Sequence, residues 1–401
     1  MKAKQQPSAQ TGNPTIKVQN LVDFTGRDLY IGIDVHKQRW QVAVYYDGLI
    51  LSNTSIEASP GALFTHLRKR YGEAHFSCVY ESGPFGSSLC RSLWAAGLDC
   101  MVVNPADIPN TNKESRSKSD PVDARKLALH LAARLLHPIY VPSEKLQKQR
   151  SLIRFRKKLW GDLVRSKNRL KSELIFQGIT VPKQYDNKHW SHNFLDWIEQ
   201  QALKEEDLKE TLLLMLEEVK LLRVLLLKTE RKLRELMWSE DFKVKSELLR
   251  SIPGVGPLTA MLLLLEVGDV SRFKSFDALN RFVGFCPDSH SSGESQKHSG
   301  ISIRRHNQLR SMLVEAAWQL IRRDTAMLDN YRQLCTRMKG QDAIIRIARK
   351  LLRRIRAVML SERMYVIGVG GHMVTSEIGA PQLSQPKKRG RPKKLGIATY
   401  K

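Results

Sequence analysis

Four carboxylates stand where they could act together: Asp34, Glu81, Asp120 and Asp123. Asp34 ends the apolar run Tyr30-Ile-Gly-Ile33, and Glu81 ends a second one, Phe76-Ser-Cys-Val-Tyr80. Asp120 and Asp123 are three apart at a helix start, so both side chains can point to one side of its first turn. A carboxylate in a buried strand is costly unless its charge is satisfied. Hard oxygen donors of this kind suit Mg²⁺, and two such ions can stabilise the attacking and leaving oxygens of a phosphoryl displacement. Singly, Asp34 reads equally well as the start of a turn and Asp120 as a helix cap. Jointly, the four predict one catalytic metal site.

The elements that must position them are legible in order. The run in Tyr30–Lys37 up to Asp34, then Trp40–Tyr46 and Leu49–Leu51, read as three strands, the last two joined by an Asp47-Gly48 turn. Ser59-Pro60 starts a helix to about Tyr71, Phe76–Tyr80 is a strand, and Ser87–Ala96 is a helix stopped by Gly97. Asp99–Val103 is another strand. Asp120 is placed as N-cap and Pro121 as first helical residue of the helix Ala124–Leu136. The order β-β-β-α-β-α-β, then a helix, predicts an RNase H-like mixed sheet with helices on its faces.

Beyond residue 143 the chain reads as helical and basic. Ser143 caps a helix to about Phe176, in which eleven Lys and Arg between Glu144 and Lys171 face two acids. Arg154, Arg156, Lys157, Lys158, Arg165, Lys167 and Arg169 are its candidate nucleic-acid contacts; the alternative is a solvated face. A polar, aromatic loop, Thr180–Asn193, leads to a second long helix. There Leu208, Leu212, Met215, Val219, Leu222, Leu226, Leu233 and Leu236 form a coiled-coil-like seam, interrupted by Thr229. That helix could fold back on the first or pair with another copy. Ile252-Pro-Gly-Val-Gly256 looks like a helix-hairpin-helix turn, whose Gly254 and Gly256 would present N–H groups to a phosphate; it also reads as a tight turn between packed helices. Gly284–Ser302 is a serine-rich stretch read as a loop. Near the C-terminus Arg389-Gly390-Arg391-Pro392, flanked by lysines, resembles an AT-hook for narrow A·T minor grooves; the bland alternative is a nonspecific basic tail.

Composition sets the partner class. The 401 residues carry a formal net charge of +26, which points to a polyanion, most simply nucleic acid. No segment is long and apolar enough for a membrane, so no membrane partner is expected. The five cysteines lack C-x-x-C spacing, which argues against a zinc site or disulfide framework and suits a cytoplasmic setting.

Across about residues 29–360 the chain resembles the DEDD transposases of bacterial insertion sequences, the insertion-sequence one-ten group. The resemblance rests on Ile-Gly-Ile-Asp34, Tyr-Glu81-Ser-Gly and Ser-Asp120-Pro-Val-Asp123-Ala-Arg, followed by Ile-Pro-Gly-Val-Gly, Phe-Val-Gly-Phe-Cys-Pro, Ser292-Gly293, Gly300-Ile-Ser and Leu309-Arg310. It implies a RuvC-like DEDD domain, with Ser292 as nucleophile of a serine–DNA phosphoester. It also implies Mg²⁺ as cofactor, double-stranded DNA (element ends and target), a structured noncoding guide RNA encoded by the element, and a homo-oligomer, dimer or tetramer, in the bacterial cytoplasm at the nucleoid. One departure is Arg305-His306, where the family usually has Gly-Asn. The expected layout is an arm (1–26), a RuvC-like domain (27–142), a basic helical region (143–240), a transposase domain (241–363) and a basic tail (364–401). A metal-dependent junction-resolving nuclease without serine chemistry, and a non-enzymatic architectural DNA binder, are the alternatives.

Overall fold

The computed structural model describes residues 23–109, 119–186, 189–292, 295–301 and 306–367. The N-terminal arm up to residue 22, Gly293, and the AT-hook-like Arg389, Gly390 and Arg391 lie outside the described residues. The chain divides into two compact units, one through Gln147 and one from Lys148.

The first unit runs β1 (Asp28–Val35), β2 (Arg39–Tyr46), β3 (Leu49–Glu57), α1 (Pro60–Tyr71), β4 (His75–Glu81), α2 (Gly86–Ala95), β5 (Asp99–Val103) and α3 (Asp120–Ala132). The strands form one sheet in the order β3-β2-β1-β4-β5. β2 is antiparallel to β1 and β3, while β1, β4 and β5 are parallel. This mixed sheet is compatible with an RNase H-like domain, and its element order is the one expected from sequence. The β2–β3 turn has positive φ at both Asp47 and Gly48, as a two-residue hairpin turn requires.

The two faces of the sheet pack differently. On one face Leu29, Ile31 and Ile33 of β1 join Leu63 and Leu67 of α1 and Leu89 and Leu93 of α2 in the main core. Against the other lies α3, through small residues: Ala43 of β2 with Ala124 and Ala128. Gly32 makes this possible. A Cβ there would stand 2.0 Å from the Ala124 carbonyl oxygen and 2.5 Å from the Ala128 nitrogen.

The second unit holds most of α4 (Glu144–Phe176), then α5 (His192–Ala202), α6 (Lys209–Met237), α7 (Lys243–Arg250), α8 (Pro257–Val267) and α9 (Phe276–Val283). It continues with β6 (Pro287–Ser292), β7 (Ser295–Ile301), α10 (Asn307–Leu320), α11 (Thr325–Cys335) and α12 (Gly340–Ser361). Ser143 caps α4 by accepting from the Leu146 N–H. α4 and α6 run antiparallel within the chain, since Arg156 meets Glu230 while Arg169 meets Glu218. On α6 the buried positions are Leu212, Leu216, Val219, Leu226, Thr229, Leu233 and Met237; Leu208, Met215, Leu222 and Leu236 of the expected seam are half-buried. A straight helix drifts off a seven-residue repeat, and this one also packs on α5.

Two readings are corrected. Part of the stretch read as a loop before α6 opens α5, capped by Ser191 and buried through Phe194, Leu195 and Ile198. Its aromatic residues are core: Phe194 contacts Trp190 and Trp197. The serine-rich stretch is an antiparallel hairpin, β6 with β7. It lacks the alternation of apolar and polar residues that marks a half-buried strand.

Gly254 has φ +89°, and a Cβ there would lie 2.3 Å from the Ala316 carbonyl of α10. Close helix packing therefore accounts for this glycine. Gly256 has open space around its Cβ direction and caps α8. From Thr259 to Val267 every residue of α8 is buried.

Gly32→Ala should destabilise the first unit by about 3 kcal/mol or more, beyond the usual range for overpacking, because the clash is with helix backbone that cannot rotate away. Gly61→Ala, at an exposed position of α1, is the control. Urea midpoints compare them; equal midpoints would show that α3 does not lie on β1 as described.

Candidate active site

The sheet brings Asp34 and Glu81 to one edge. β1 and β4 are parallel with Ile33 opposite Tyr80, so the next residue on each strand, Asp34 and Glu81, reaches the same end. Tyr80 is buried, and its hydroxyl donates to the Gly86 carbonyl at 2.6 Å and accepts from the Cys90 N–H at 3.0 Å. The strand end carrying Glu81 is thereby pinned to the start of α2.

The start of α3 supplies the other two acids. The helix begins at Asp120 with Ser119 in the cap position, one residue earlier than expected, and no side-chain cap bond is formed. The Asp120 carboxylate is thus not consumed in capping. It contacts His36, whose Nε2 lies 3.2 Å from Asp120 Oδ2 and 3.2 Å from Asp34 Oδ2. Ligand atoms of Asp34, His36 and Asp120 all fall within 4.8 Å of one another, a spacing that fits a shared cation. Glu81 and Asp123 are not members of that tight group, yet the charge of Asp123 is felt at Asp34. Burial pushes the Asp34 carboxyl above the usual range; His36 pulls it down, and Asp120 and Asp123 add to the rise. A carboxylate crowded in this way gains from a cation, and a DEDD-type donor set suits a divalent one.

A relay from the sheet fixes the helix start. Gln41 of β2, opposite Asp34 in register, donates to Asn53 of β3 at 2.6 Å, and Asn53 donates to the Pro121 carbonyl at 2.8 Å. Sequence reasoning missed His36, Gln41 and Asn53. Only His36 had a signal, two residues beyond Asp34.

Ser292 ends β6 opposite Ser295 of β7. His306 stands just beyond this hairpin. Its backbone N–H donates to Phe282, and its Nδ1 accepts from the Leu309 N–H, capping α10. Its Nε2 lies 3.4 Å from Glu266, a carboxylate only 3% exposed. Glu266 accepts two 2.8 Å bonds from Arg154, while Arg150 donates to the Leu265 carbonyl. Burial raises the Glu266 carboxyl, but its bonds to Arg154 and His306 outweigh that and hold it at about 2.

The basic helix is accordingly less bare than its sequence. Arg156 pairs with Glu230, Arg165 with Asp162 and Arg169 with Glu218. Lys157 and Lys158 are exposed, and Lys167 sits 5.4 Å over the Trp190 ring.

Two family models match the chain. Residues 31–177 match a transposase model of the DEDD, IS110 type, and residues 246–332 match the "Transposase IS116/IS110/IS902 family". The transposase for insertion sequence element IS1533 of Leptospira borgpetersenii is 29% identical over 73% of this chain and 85% of that protein. The putative transposase y4qE of Sinorhizobium fredii is 28% identical over 73% of this chain and 72% of its own length. The pilin gene-inverting protein of Moraxella lacunata is 38% identical over 18% of this chain.

Two outcomes follow for the charges. Because the Asp34 pKa is raised on folding, its contribution is fully present at low pH and is lost as pH rises through the folded value. Without divalent cations, stability should therefore fall as pH rises above the ordinary aspartate range; Asp34→Asn should lack that fall, and Mn²⁺ should restore the wild type but not the variant. Urea midpoints against pH, with chelator or with Mn²⁺, check this. Glu266 behaves oppositely: its stabilisation is present above about 4.5 and is lost as pH falls toward about 2. Glu266→Ala should cost about 3–5 kcal/mol at neutral pH by removing the buried carboxylate that Arg154 meets at 2.8 Å and Arg150 faces at 3.5 Å, measured by urea unfolding; a loss below about 1 kcal/mol would remove the clamp.

Proposed function

Because the chain belongs to the IS110-type DEDD transposases, enzymes that cut and rejoin DNA, we propose that it excises and inserts a mobile DNA element through a metal-holding DEDD site and a serine nucleophile. The observation that carries this is the convergence of Asp34, His36 and Asp120 at the end of β1. Asp34, Glu81, Asp120 and Asp123 would hold Mg²⁺, which when bound offsets charge building on the phosphate oxygens. The Ser292 hydroxyl attacks the scissile phosphorus, its proton is lost, and a DNA oxygen leaves as hydroxyl. The resulting serine–DNA phosphoester keeps the bond energy for rejoining to a new strand. The place of Ser292 at the end of β6, beside the hairpin turn, supports this role. Likeness to a protein named for inverting a gene fits cutting and rejoining without loss of DNA.

In this reading a structured guide RNA encoded by the element selects the DNA, and Lys157 and Lys158 track phosphates. Gly256, rather than Gly254, is the turn position open to a phosphate. Arg389, Gly390 and Arg391 enter an A·T-rich minor groove. The active species is a homo-oligomer.

Ser292→Ala should abolish strand exchange and any denaturant-resistant protein–DNA adduct while leaving DNA binding intact; Ser295→Ala should keep the adduct. Asp120→Asn should lose both activities and remain folded. Gel detection of the adduct, with Mg²⁺, decides. Cutting without any adduct would favour the metal-only junction nuclease; no cutting at all would favour the architectural binder.

A further inference from the structure

Most cations on α4 already have an acid beside them, on α6, on α8 or nearby in sequence. Two cations on facing helices do not. Lys167 of α4 and Arg223 of α6 line one surface cleft of about 380 Å³, with Trp190 and the apolar side chains Leu163, Leu226 and Leu227. No carboxylate lines it, and neither cation has a carboxylate partner among the described residues. The Arg223 Nη1 is buried with no hydrogen-bond partner. A buried donor left unmade is unfavourable by about 1–3 kcal/mol. The Lys167 ammonium lies over the Trp190 ring at 5.4 Å. Burial lowers its pKa, and the Arg223 charge lowers it further, so the two cations repel each other across the cleft.

An anion between them would remove that repulsion and supply the missing acceptor. Beside the charges the cleft offers leucine side chains, an indole, and the polar His189 and Ser191, which suits a base or sugar attached to that anion. Its volume falls in the range of small-ligand sites. A duplex keeps its bases stacked and offers only backbone to such a cavity, whereas single-stranded RNA loops present splayed nucleotides.

We propose that this cleft binds one unstacked nucleotide of a single-stranded RNA segment, its phosphate held between Lys167 and Arg223 and its base or sugar against Trp190 and the leucines. It rests on the reading of RNA as a partner only for the source of the nucleotide.

The test uses the full-length protein, an unstructured oligoribonucleotide and a DNA duplex of matching composition. Lys167→Ala and Arg223→Leu should each weaken oligoribonucleotide binding by about 10-fold, as loss of one charged hydrogen bond implies. Each should reduce the log–log salt slope by about 0.7. Duplex affinity should change less than twofold, and Lys69→Ala, an equal loss of charge elsewhere, should change neither. Arg223→Leu should leave the thermal midpoint unchanged or raised, since it removes an unpaired buried donor; a lowered midpoint would mark Arg223 as structural and overturn the site. Oligoribonucleotide binding unchanged in both variants, or undetectable in the wild type, would also overturn it. Equal loss on duplex DNA would assign the cations to DNA backbone instead. A guide-RNA role fails separately, if strand exchange proceeds in RNA-free protein.

Discussion

The closeness of α3 to β1 is the constraint on which the acidic site depends. Gly32, with Ala43, Ala124 and Ala128, lets helix backbone lie directly on strand backbone. A larger side chain at any of these positions would lift the helix, and its first turn carries two of the four acids. Contact through small residues also leaves little freedom to slide, because backbone meets backbone rather than flexible side chains. Asp34 and Asp120 thus come to one imidazole from positions far apart in sequence. The Gln41–Asn53–Pro121 relay adds a polar stop at the helix end, so the helix is fixed by packing along its length and by hydrogen bonds at its tip.

Much of this was legible beforehand. Asp34 and Glu81 stood out because a charge ending an apolar run is unusual, and the spacing of Asp120 and Asp123 set them on one helical side. The succession of strands and helices along the chain followed from short runs bounded by turn residues. What could not be read depends on which elements meet. Gln41 and Asn53 become positioning residues only once strand register is known, and Gly32 looks like any strand glycine until α3 lies across it. Part of the positive charge of α4 is cancelled by Glu218, Glu230 and Glu266, which lie about 50 to 110 positions later. The hairpin carrying Ser292 was hidden because its residues are polar throughout and give no periodic signal.

The Glu266 cluster shows how the second unit uses charge internally. One buried carboxylate ties α4 to α8 and to the residue that caps α10. His306 serves as the side-chain cap of α10 through Nδ1 and reaches Glu266 through Nε2. Two arginines of a helix that looks from its sequence like a nucleic-acid ruler, Arg150 and Arg154, are instead part of the framework. The charge available to a partner is therefore patchy, concentrated at lysines and at cations left without acids.

The helix α8 carries a consequence for how the chain is made. From Thr259 onward its surface is buried, against α6, α7 and α10, so this part has no face suited to water. During synthesis α6 and α7 emerge first, but α10 follows only after the hairpin. At about 5–20 residues per second, this leaves an apolar helix without its last covering for on the order of 3–10 s. Over that interval the uncovered apolar surface of the nascent chain is open to association with other chains, the hazard that chaperones exist to limit.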